Sequence, residues 1–569
     1  MFDPKAEYEK WLNTIDSADV KSVDELCRAQ VENYSGFFNK LKFGTGGLRA
    51  KLGMGLDHMN IWTIGAASQG LANYLLEHFE SPSVAIARDS RLCSELFSRR
   101  TAEILASSGI KVHYYESIQP TPVLSYTVRE LNCSAGVVIT ASHNPKEYNG
   151  YKVYGSDGCQ ATIDLCNNVQ KAIDAIDPFT VEPAISFDNA VTHGLISYVS
   201  EDVLDSFIKS TLRVSTRVDC SDLTVAYSPL NGTGLNLCKR IMKDIFVKDV
   251  HVVPQQERAD GNFPTCPKPN PENADAMKLG LLLAKGSRCD ILIATDPDCD
   301  RIGVAVDHRG EWKQLTGNEL GLVLLDYLAR RKSEHECDMS HKVACTSIVS
   351  GPMANDIALK YGFQLRRTLT GFKFIGEQIA LLESEGRESD FLMGFEESCG
   401  YLSGTHVRDK CGIVSTMLAC EAAAWWKQRG KDLFQVMQDL YFEHGYWIDR
   451  QINIQFDGPD AMAQMTNVMN AIRSEPPFDL GGKTIVEIVD YQSGIQMPVI
   501  NDLPGDSRQT LPPSNVIRFN LEGGSYVIVR PSGTEPKIKI YEFVKGATND
   551  ESKYLEKRIV TSLNSLLCS

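Results

Sequence analysis

The 569-residue chain lacks the long apolar run that a membrane-spanning helix requires. No segment approaches roughly eighteen consecutive apolar residues. The first residues, Met1–Glu7, contain no apolar core of the kind found in export signals. We therefore predict a soluble, cytoplasmic protein with no membrane partner.

Paired cysteine spacing and a basic stripe are absent too. The sixteen cysteines are scattered, which in a large chain without an export signal favours reduced thiols over disulfides or a zinc site. The formal net charge is −15, and aromatic residues are not interleaved with Lys or Arg, so a nucleic-acid partner is not expected. An anionic substrate would need cations within its own site, for which the candidates are Arg49, Lys152, Arg301, Lys373, Lys410 and Arg530.

Repeated strand-then-helix patterns fill most of the chain. A single core is implausible at this length, and the alternation predicts layered α/β domains. The last block differs, because its strands read as antiparallel and precede one long helix over 551–567. We predict two amphipathic helices within 8–28 and domains at 1–204, 205–311, 312–446 and 447–569.

The segment Thr140–Pro145 places a hydroxyl nucleophile, Ser142, directly after the apolar run Ala135–Ile139. A strand there would deliver Ser142 to the carboxyl edge of a sheet, where open α/β sheets bind ligands. A neighbouring Ser-His pair is weak evidence by itself, since adjacent loop side chains usually point apart. Ser142 is therefore a candidate for covalent chemistry that needs support from other motifs.

That support comes from Asp296, Asp298 and Asp300, which follow a second buried-strand pattern. On an extended segment these carboxylates would point the same way, and three convergent oxygens suit Mg²⁺. A calcium-binding EF-hand is excluded because Arg301 replaces its glycine and Asp307 its glutamate. A solvated acidic turn remains possible on the spacing alone.

Two later loops carry further polar groups. Gly394–Ser398 offers two carboxylates and a hydroxyl that could bind sugar hydroxyls. Val527–Lys537 offers Arg530, hydroxyls and a glycine, and the planar guanidinium fork suits phosphate. An ordinary turn between two strands would account for the second loop as well, and the two interpretations are compatible.

Together, these motifs resemble the α-D-phosphohexomutase superfamily. The matching segments occur in the family's order between about residues 43 and 539, and they are Gly44–Arg49, Thr140–Pro145, Asp296–Arg301, Gly394–Ser398 and Arg530–Thr534. Residues 42–54 and 368–373 look most similar to its phosphoglucomutase and phosphopentomutase branch.

The resemblance implies three similar mixed-sheet α/β domains and a smaller C-terminal α+β domain around a central cleft. It also implies that Ser142 carries a phosphoryl group and, with the three aspartates, binds Mg²⁺. Arg49 and Lys152 would stabilise the transferred group. Lys410 would be the general acid or base, and His143 would orient the loop.

The implied reaction converts glucose 1-phosphate and glucose 6-phosphate into each other through glucose 1,6-bisphosphate. The implied substrate-binding residues are Thr370, Gly371, Lys373, Glu396, Ser398, Arg301, Arg530, Ser532, Gly533 and Thr534. Partners are expected to be small sugar phosphates, and the chain to be a monomer or weak homo-oligomer. Phosphopentomutase, phosphomannomutase or bisphosphate synthase activity, a phosphatase and a non-catalytic binding protein remain open.

The chain departs from the family at three cysteines beside these motifs, Cys299, Cys399 and Cys411. Cys411 stands where an acidic residue is usual, which leaves open how Lys410 is held. One interpretation is that the thiols fill space. The other is that Lys410 lowers the pKa of Cys411 and makes it reactive.

Overall fold

The computed structural model describes residues 4–17, 35–37, 39–44, 47–456, 460–493, 495–497, 509–532 and 537–567. The chain divides into two compact units. The first comprises Met1–Gln314, Ile375–Ser389 and Cys399–Trp425, and the second comprises Leu315–Phe374, Asp390–Ser398 and Trp426–Ser569. These two units do not follow the predicted domain boundaries, and the boundary expected after residue 204 falls inside the helix Glu201–Arg213. The four predicted domains, with boundaries at 204, 311 and 446, therefore stay a prediction.

The first unit begins with a mixed six-stranded sheet. Its strands are β1 (Gly47–Lys51), β2 (Ser83–Arg88), β3 (Lys111–Tyr114), β4 (Ala135–Ile139), β5 (Tyr148–Gly155) and β6 (Ile196–Tyr198). They lie in the order β1-β5-β4-β2-β3-β6. β2, β3, β4 and β6 run parallel, whereas β5 is antiparallel to both β1 and β4. All residues of β4 are buried, as its unbroken apolar sequence predicts for a central strand.

Helices cover this sheet. They are α1 (Pro4–Ser17), α2 (Ile61–His78), α3 (Ser94–Ser107), α4 (Thr121–Glu130), α5 (Ile163–Asp174), α6 (Phe187–Thr192) and α7 (Glu201–Arg213), with 3₁₀ turns at Ser35–Phe37 and Pro178–Thr180. α2 begins with a capping box between Asn60 and Thr63. Trp11 of α1 packs edge-on against Trp62 and Phe179. The first predicted N-terminal helix is thus confirmed, while the second lies outside the described residues.

A second mixed sheet follows in the same unit. It contains β7 (Thr224–Ser228), β8 (Asp249–Val252), β9 (Ile291–Thr295), β10 (Ile302–His308) and β11 (Glu311–Leu315). The order is β11-β10-β9-β7-β8. β7 runs parallel to β8 and β9, whereas β10 is antiparallel to β9. Its helices are α8 (Leu235–Asp244), α9 (Pro254–Glu257) and α10 (Ala274–Ser287). The carboxyl end of β9 leads straight into the aspartate segment.

The second unit contains a parallel sheet and an antiparallel one. β12 (Val343–Ser347) lies between β13 (Gln364–Thr368) and β14 (Phe391–Glu396), both parallel to it. The surrounding elements are α11 (Gly317–Ser333), α12 (Ala354–Tyr361), α13 (Phe372–Ser384), a 3₁₀ turn at Glu388–Asp390, β15 (Gly400–Leu402), α14 (Gly412–Lys427) and α15 (Leu433–His444). β15 and most of α13 and α14 belong to the first unit.

The C-terminal sheet is antiparallel. Its strands are β16 (Tyr446–Gln455), β17 (Asp479–Leu480), β18 (Lys483–Asp490), β21 (Ile517–Leu521), β22 (Tyr526–Pro531) and β23 (Lys537–Gly546), with β19 (Ile495–Met497) and β20 (Gln509–Leu511) forming a separate pair and Tyr491–Ser493 a 3₁₀ turn. The order is β16-β23-β22-β21-β18-β17. Together with α16 (Ala461–Ser474) and α17 (Asn549–Leu567), it confirms the predicted fold of three α/β domains and a C-terminal α+β domain. No described helix is long and apolar enough to cross a bilayer.

Candidate active site

Ser142 lies just beyond the carboxyl end of β4, as predicted, and is buried. Its φ of 53° is unusual for a residue other than glycine. The Thr140 hydroxyl accepts a hydrogen bond from the Ser142 amide at 2.8 Å. This local contact stabilises the turn that presents the Ser142 hydroxyl.

Arg91 binds the main chain of the same loop. Its guanidinium donates to the carbonyls of Pro145 and Tyr148 at 2.9 and 3.0 Å, and also to the carbonyls of Ser142 and Asn144. One side chain therefore binds four backbone oxygens of the nucleophile loop.

A buried ion pair fixes Arg91 in turn. Asp89 Oδ2 lies 3.3 Å from Arg91 Nε, and both side chains are inaccessible to solvent. The same carboxylate accepts a hydrogen bond from Thr140 Oγ1 at 2.6 Å. Neither Asp89 nor Arg91 was singled out from the sequence. The available signal was their position directly after a buried strand, β2.

The three aspartates converge, but not for the reason the sequence suggested. The segment after β9 is a tight turn rather than an extended strand, with Cys299 at a φ of 54°. Asp296 Oδ1 closes this turn by accepting the amides of Asp300 and Arg301 at 3.2 and 3.0 Å. One oxygen from each of Asp296, Asp298 and Asp300 lies within 4.8 Å of the others, and all three residues are buried.

A direct hydrogen bond joins the nucleophile to the aspartate turn. Ser142 Oγ donates to Asp296 Oδ2 at 2.7 Å. Burial and the charges of Asp298 and Asp300 raise the pKa of Asp296 well above its ordinary value. His143 Nδ1 lies 3.1 Å from the same Oγ. Burial and the charges of Arg301 and Arg49 lower the pKa of His143 well below its ordinary value, so the imidazole is neutral at pH 7.

Asp298 is held by two donors from neighbouring elements. Its Oδ2 accepts hydrogen bonds from Lys152 Nζ at 2.8 Å and from Thr121 Oγ1 at 2.9 Å. Although burial would raise the pKa of Asp298, the charge and hydrogen bond of Lys152 keep it below its ordinary value. Thr121, the first residue of α4, also went unnoticed in the sequence.

The donor set fits a hard divalent cation. Within the described residues, the buried Oδ1 atoms of Asp298 and Asp300 have no hydrogen-bond partner. Buried carboxylate oxygens left in this state are costly, and an ion such as Mg²⁺ prefers oxygen ligands of this type.

Lys410 reaches the same centre from the loop before α14. Its Nζ lies 3.3 Å from Asp300 Oδ2 and 3.1 Å from Asp409 Oδ1. The other Asp409 oxygen accepts a hydrogen bond from Tyr154 at 2.6 Å. Asp409 therefore positions Lys410, and the sequence signal was an acidic residue before the lysine rather than after it.

The two other predicted cations of the first unit, Arg49 and Arg301, lie at the edge of this cluster. Arg49 is on β1 and donates to Asn144 Oδ1 of the nucleophile loop at 3.4 Å. Arg301 forms an ion pair with Glu272 at 3.3 Å, and its Nε lies 3.7 Å from Asp300 Oδ1. Both predicted residues are therefore near the reacting groups.

Burial favours the space-filling interpretation of Cys411 over the reactive one. Cys411 is completely buried, and burial raises the pKa of its thiol to about 12 instead of Lys410 lowering it. Cys299 and Cys399 are buried as well. The cysteines within the described ranges are free thiols.

In the second unit, Glu396 ends β14 and binds the loop after β13. Its Oε1 accepts the Gly371 amide at 2.7 Å, and the φ of 123° at Gly371 is a conformation that favours glycine. Burial and the charge of Glu396 raise the pKa of Glu397 to about 7. Thr370 lies on the same loop, Lys373 lies in the first turn of α13, and Ser398 follows Glu397.

Tyr541 links this loop to the predicted phosphate-binding strand. Burial and the charges of Glu397 and Glu396 raise the pKa of Tyr541, whereas Arg530 opposes that effect through its charge and a hydrogen bond. Arg530 is on β22, and the Ser532 amide donates to the Lys537 carbonyl at 2.8 Å. Gly533 and Thr534 lie outside the described residues. In the second unit, Glu396, Glu397 and Arg530 therefore all lie near Tyr541.

Three family models match the chain in succession. They are the α/β/α domains I, II and III of phosphoglucomutase/phosphomannomutase, over residues 40–179, 204–310 and 316–444.

Curated relatives and solved structures agree with these models. The chain is 34% identical over 546 residues to a phosphoglucomutase of Staphylococcus saprophyticus, covering 95% of this chain and 97% of the relative. A Staphylococcus aureus phosphoglucomutase is also 34% identical, with 95% and 96% covered. Parafusin, a phosphoglucomutase from Paramecium, has a TM-score of 0.68 at 17% identity, with 93% and 96% covered. A phosphoglucomutase/phosphomannomutase family protein from Burkholderia thailandensis has a TM-score of 0.65 at 18% identity, with 92% and 97% covered.

Proposed function

The chain belongs to the phosphoglucomutase/phosphomannomutase family and is a phosphohexomutase enzyme, and we propose that it interconverts glucose 1-phosphate and glucose 6-phosphate through a phosphoserine at residue 142 and glucose 1,6-bisphosphate. Glucose is chosen because the curated Staphylococcus relatives that cover nearly the whole chain are phosphoglucomutases.

The observation that carries the proposal is the hydrogen bond from Ser142 Oγ to Asp296 Oδ2 at 2.7 Å. It puts the nucleophile next to three buried carboxylates, two of which keep an oxygen without a hydrogen-bond partner among the described residues. A serine that only filled space would not need three carboxylates, whose burial is unfavourable.

In the proposed cycle, the phosphoryl group on Ser142 Oγ passes to the free hydroxyl of the sugar monophosphate. The bond from phosphorus to Ser142 breaks as the bond to the sugar oxygen forms. The resulting bisphosphate turns around, and its other phosphoryl group returns to Ser142. Turnover therefore leaves the enzyme phosphorylated and moves the phosphate between two sugar positions.

Lys152 and Lys410 flank the reacting atoms. Lys152 is 2.8 Å from Asp298 and 3.6 Å from Asp300, a position that supports a role in stabilising charge on the transferred group. We assign to Lys410 the proton that leaves the attacking sugar hydroxyl. In the second half-reaction Lys410 gives a proton to the sugar oxygen from which the other phosphoryl group departs. Arg49 would add positive charge, while neutral His143 would orient Ser142.

Asp296, Asp298 and Asp300, with one oxygen of phosphorylated Ser142, would hold Mg²⁺. When bound there, the ion would offset charge on the phosphoryl oxygens. Glucose 1,6-bisphosphate would serve as intermediate and activator.

We assign the sugar hydroxyls to Glu396 and Ser398, and further substrate contacts to Thr370, Gly371, Lys373 and Arg301. The non-reacting phosphate is assigned to Arg530, Ser532, Gly533 and Thr534. Family resemblance supports these roles, together with the shared neighbour Tyr541 in the second unit. A cytoplasmic location, a monomeric or weakly oligomeric state and the absence of a nucleic-acid partner stay predictions.

A substrate panel tests the proposal. The purified enzyme would be assayed with the 1-phosphates of glucose, mannose, ribose and N-acetylglucosamine, each with its cognate bisphosphate and Mg²⁺. The glucose compound should give the highest kcat/KM. A higher value for the mannose or ribose compound would instead assign phosphomannomutase or phosphopentomutase activity.

The same assay also tests for phosphatase and bisphosphate synthase activity. Inorganic phosphate would be measured beside the isomerised product, with Ser142→Ala as the matched blank. Phosphate release without isomerisation would indicate a phosphatase. Net accumulation of bisphosphate that depends on a separate phosphoryl donor would indicate a bisphosphate synthase.

A further inference from the structure

A polar pocket of about 350 Å³ lies in the first unit, between α4, α7 and the loop that precedes Lys410. Its charged and imidazole-bearing lining residues are Arg129 and Glu130 of α4, the exposed Lys209 and Arg213 of α7, and His406 of the loop. None of these residues has a role in the proposed reaction. The volume falls within the range of small-molecule sites.

The pocket carries local positive charge in a chain whose formal net charge is −15. Lys209 and Arg213 are four residues apart on one helix face, and neither has an ion pair within the part of the chain that the structure describes. Burial and the charges of Arg129, Arg408 and Arg213 lower the pKa of His406 to about 4. The imidazole is therefore neutral, and the positive charge of the pocket comes from the lysine and arginines.

Two carboxylates, Glu383 and Glu130, lie near these cations. Glu383 binds two cations, with its Oε1 2.8 Å from Arg129 Nη2 and its Oε2 in contact with Arg408. Glu130 accepts a hydrogen bond from the Tyr126 hydroxyl at 3.0 Å. Glu130 has no ion pair among the described residues, so Lys209 and Arg213 face one carboxylate in the lining and the pocket keeps a net positive charge for an anion.

Neutral donors line the same space. Ser206 and Ser210 on α7 face the Tyr126 hydroxyl and lower its pKa through hydrogen bonds, against the larger effect of burial. Hydroxyls next to Arg and Lys are the groups that bind phosphate oxygens. Little apolar surface is present to accommodate a hydrophobic ligand.

Two structural elements connect the pocket to the catalytic groups. α4 carries Arg129 near its last turn, while its first residue, Thr121, donates from both its amide and its hydroxyl to Asp298 at 2.9 Å. At 1.5 Å per residue, this ten-residue helix spans about 15 Å. The pocket is therefore separate from the aspartate turn but joined to it by one rigid helix.

The second connection is the loop from His406 to Lys410. The Arg408 amide donates to Ser125 Oγ of α4 at 3.0 Å, and Asp409 fixes Lys410. His406 itself lies 3.2 Å from Thr211 of α7. The loop therefore connects the lining of the pocket to Lys410 over four residues.

We propose that this pocket is an effector site for a small phosphorylated anion with at least two negative groups, and that its occupancy alters catalysis through α4 and the loop from His406 to Lys410. The ligand is recognised by Lys209 and Arg213, with the hydroxyls of Ser206 and Ser210 completing its contacts.

Binding is tested with phosphonoacetate, which has a phosphonate and a carboxylate but neither a hydroxyl to accept a phosphoryl group nor a phosphoryl group to donate. Calorimetric titration would use the full-length enzyme with excess Mg²⁺ and a saturating amount of its preferred sugar 1-phosphate, so that the catalytic site is filled. The pocket variant is Lys209→Gln/Arg213→Gln. The matched control is Lys278→Gln/Lys285→Gln, which removes two exposed charges from α10 of the same unit.

The wild type and the control should bind phosphonoacetate, and the pocket variant should bind at least tenfold more weakly. A charge-conserving variant, Lys209→Arg/Arg213→Lys, should retain most of the affinity. Equal affinity in the wild type and the pocket variant, or no binding once the sugar phosphate is saturating, would overturn the proposed site.

Coupling is tested by turnover at saturating sugar phosphate, where competition for the catalytic site is suppressed. Phosphonoacetate should change kcat at least twofold in the wild type and the control, and leave the pocket variant unchanged. Binding without any change in kcat would refute the proposed connection through α4 and the loop.

Discussion

Glu542 is a buried carboxyl group whose ionisation should weaken the C-terminal domain. It lies on β23 opposite Arg450 of β16, but Arg450 pairs with Glu556 of α17 instead. Glu542 is fully buried, and neither of its oxygens has a hydrogen-bond partner among the described residues. Burial and the charge of Glu556 raise its pKa from 4.5 to about 8.

The sign and size of the effect follow from this pKa. Between pH 4.5 and 8 the folded state keeps a proton on Glu542 that the unfolded state releases, so stability should fall as the pH rises through this window. One pKa unit corresponds to about 1.4 kcal/mol, and the whole change is therefore on the order of 5 kcal/mol, complete above about pH 8.

The variant Glu542→Gln tests this reasoning, because its side chain cannot ionise. Its melting temperature relative to wild type would be measured by calorimetry at several pH values from about 5 to 9, which span the window of the shift. The two proteins should melt within a degree or two of each other at the acidic end, and the variant should melt several degrees higher at the basic end. Glu522→Gln, at an exposed hairpin position of the same unit, is the matched control and should follow the wild type. Identical pH dependence of Glu542→Gln and wild type would refute the assigned pKa.

Three further predictions concern two catalytic groups and one buried cysteine beside them. Ser142→Ala should remove mutase turnover while leaving sugar phosphate binding largely intact, and intact-mass measurement should find a phosphate adduct on the wild type alone; substantial turnover by the variant would contradict the covalent mechanism. Asp298→Asn should lower kcat by a factor of roughly a hundred or more because a ligand charge is lost, and chelation should have the same effect; activity that survives exhaustive chelation would assign the aspartate turn a structural role. Since the pKa of Cys411 is raised to about 12 in a buried position, iodoacetamide should leave it unmodified in peptide maps of the folded enzyme; selective alkylation of Cys411 would contradict its burial.

The order of the elements was predictable because apolar periodicity is local. β4 and β9 were visible as uninterrupted apolar runs, and each is completely buried. Their carboxyl ends carry Ser142 and Asp296, so the position of the reacting groups in the fold could be predicted as well. The turn that brings the aspartates together could not, because it depends on Asp296 accepting two backbone amides.

Residues that act from a distance in the sequence were missed. Arg91 binds the loop of Ser142 from 51 residues away, and Thr121 binds Asp298 from 177 residues away. The position of Arg91 after β2 is a local signal, but no local pattern identifies the partner of either residue. The two interpretations of Cys411 could not be separated from the sequence for a related reason: the neighbouring lysine was visible there, whereas the burial that raises the pKa of the thiol was not.

The contacts from Arg91 to the nucleophile loop bear on whether the loop keeps its conformation through the catalytic cycle. Residue 142 would alternate between a neutral hydroxyl and a phosphate with a charge close to −2 at every turnover. The hydrogen bonds from Arg91 to the loop go to main-chain carbonyls, and its guanidinium pairs with Asp89. These hydrogen bonds do not involve the Ser142 side chain, so they can form whether or not the serine is phosphorylated. We expect the backbone of the loop to keep one shape in both chemical states, so that energy released in one half-reaction is not dissipated in rebuilding the loop for the next.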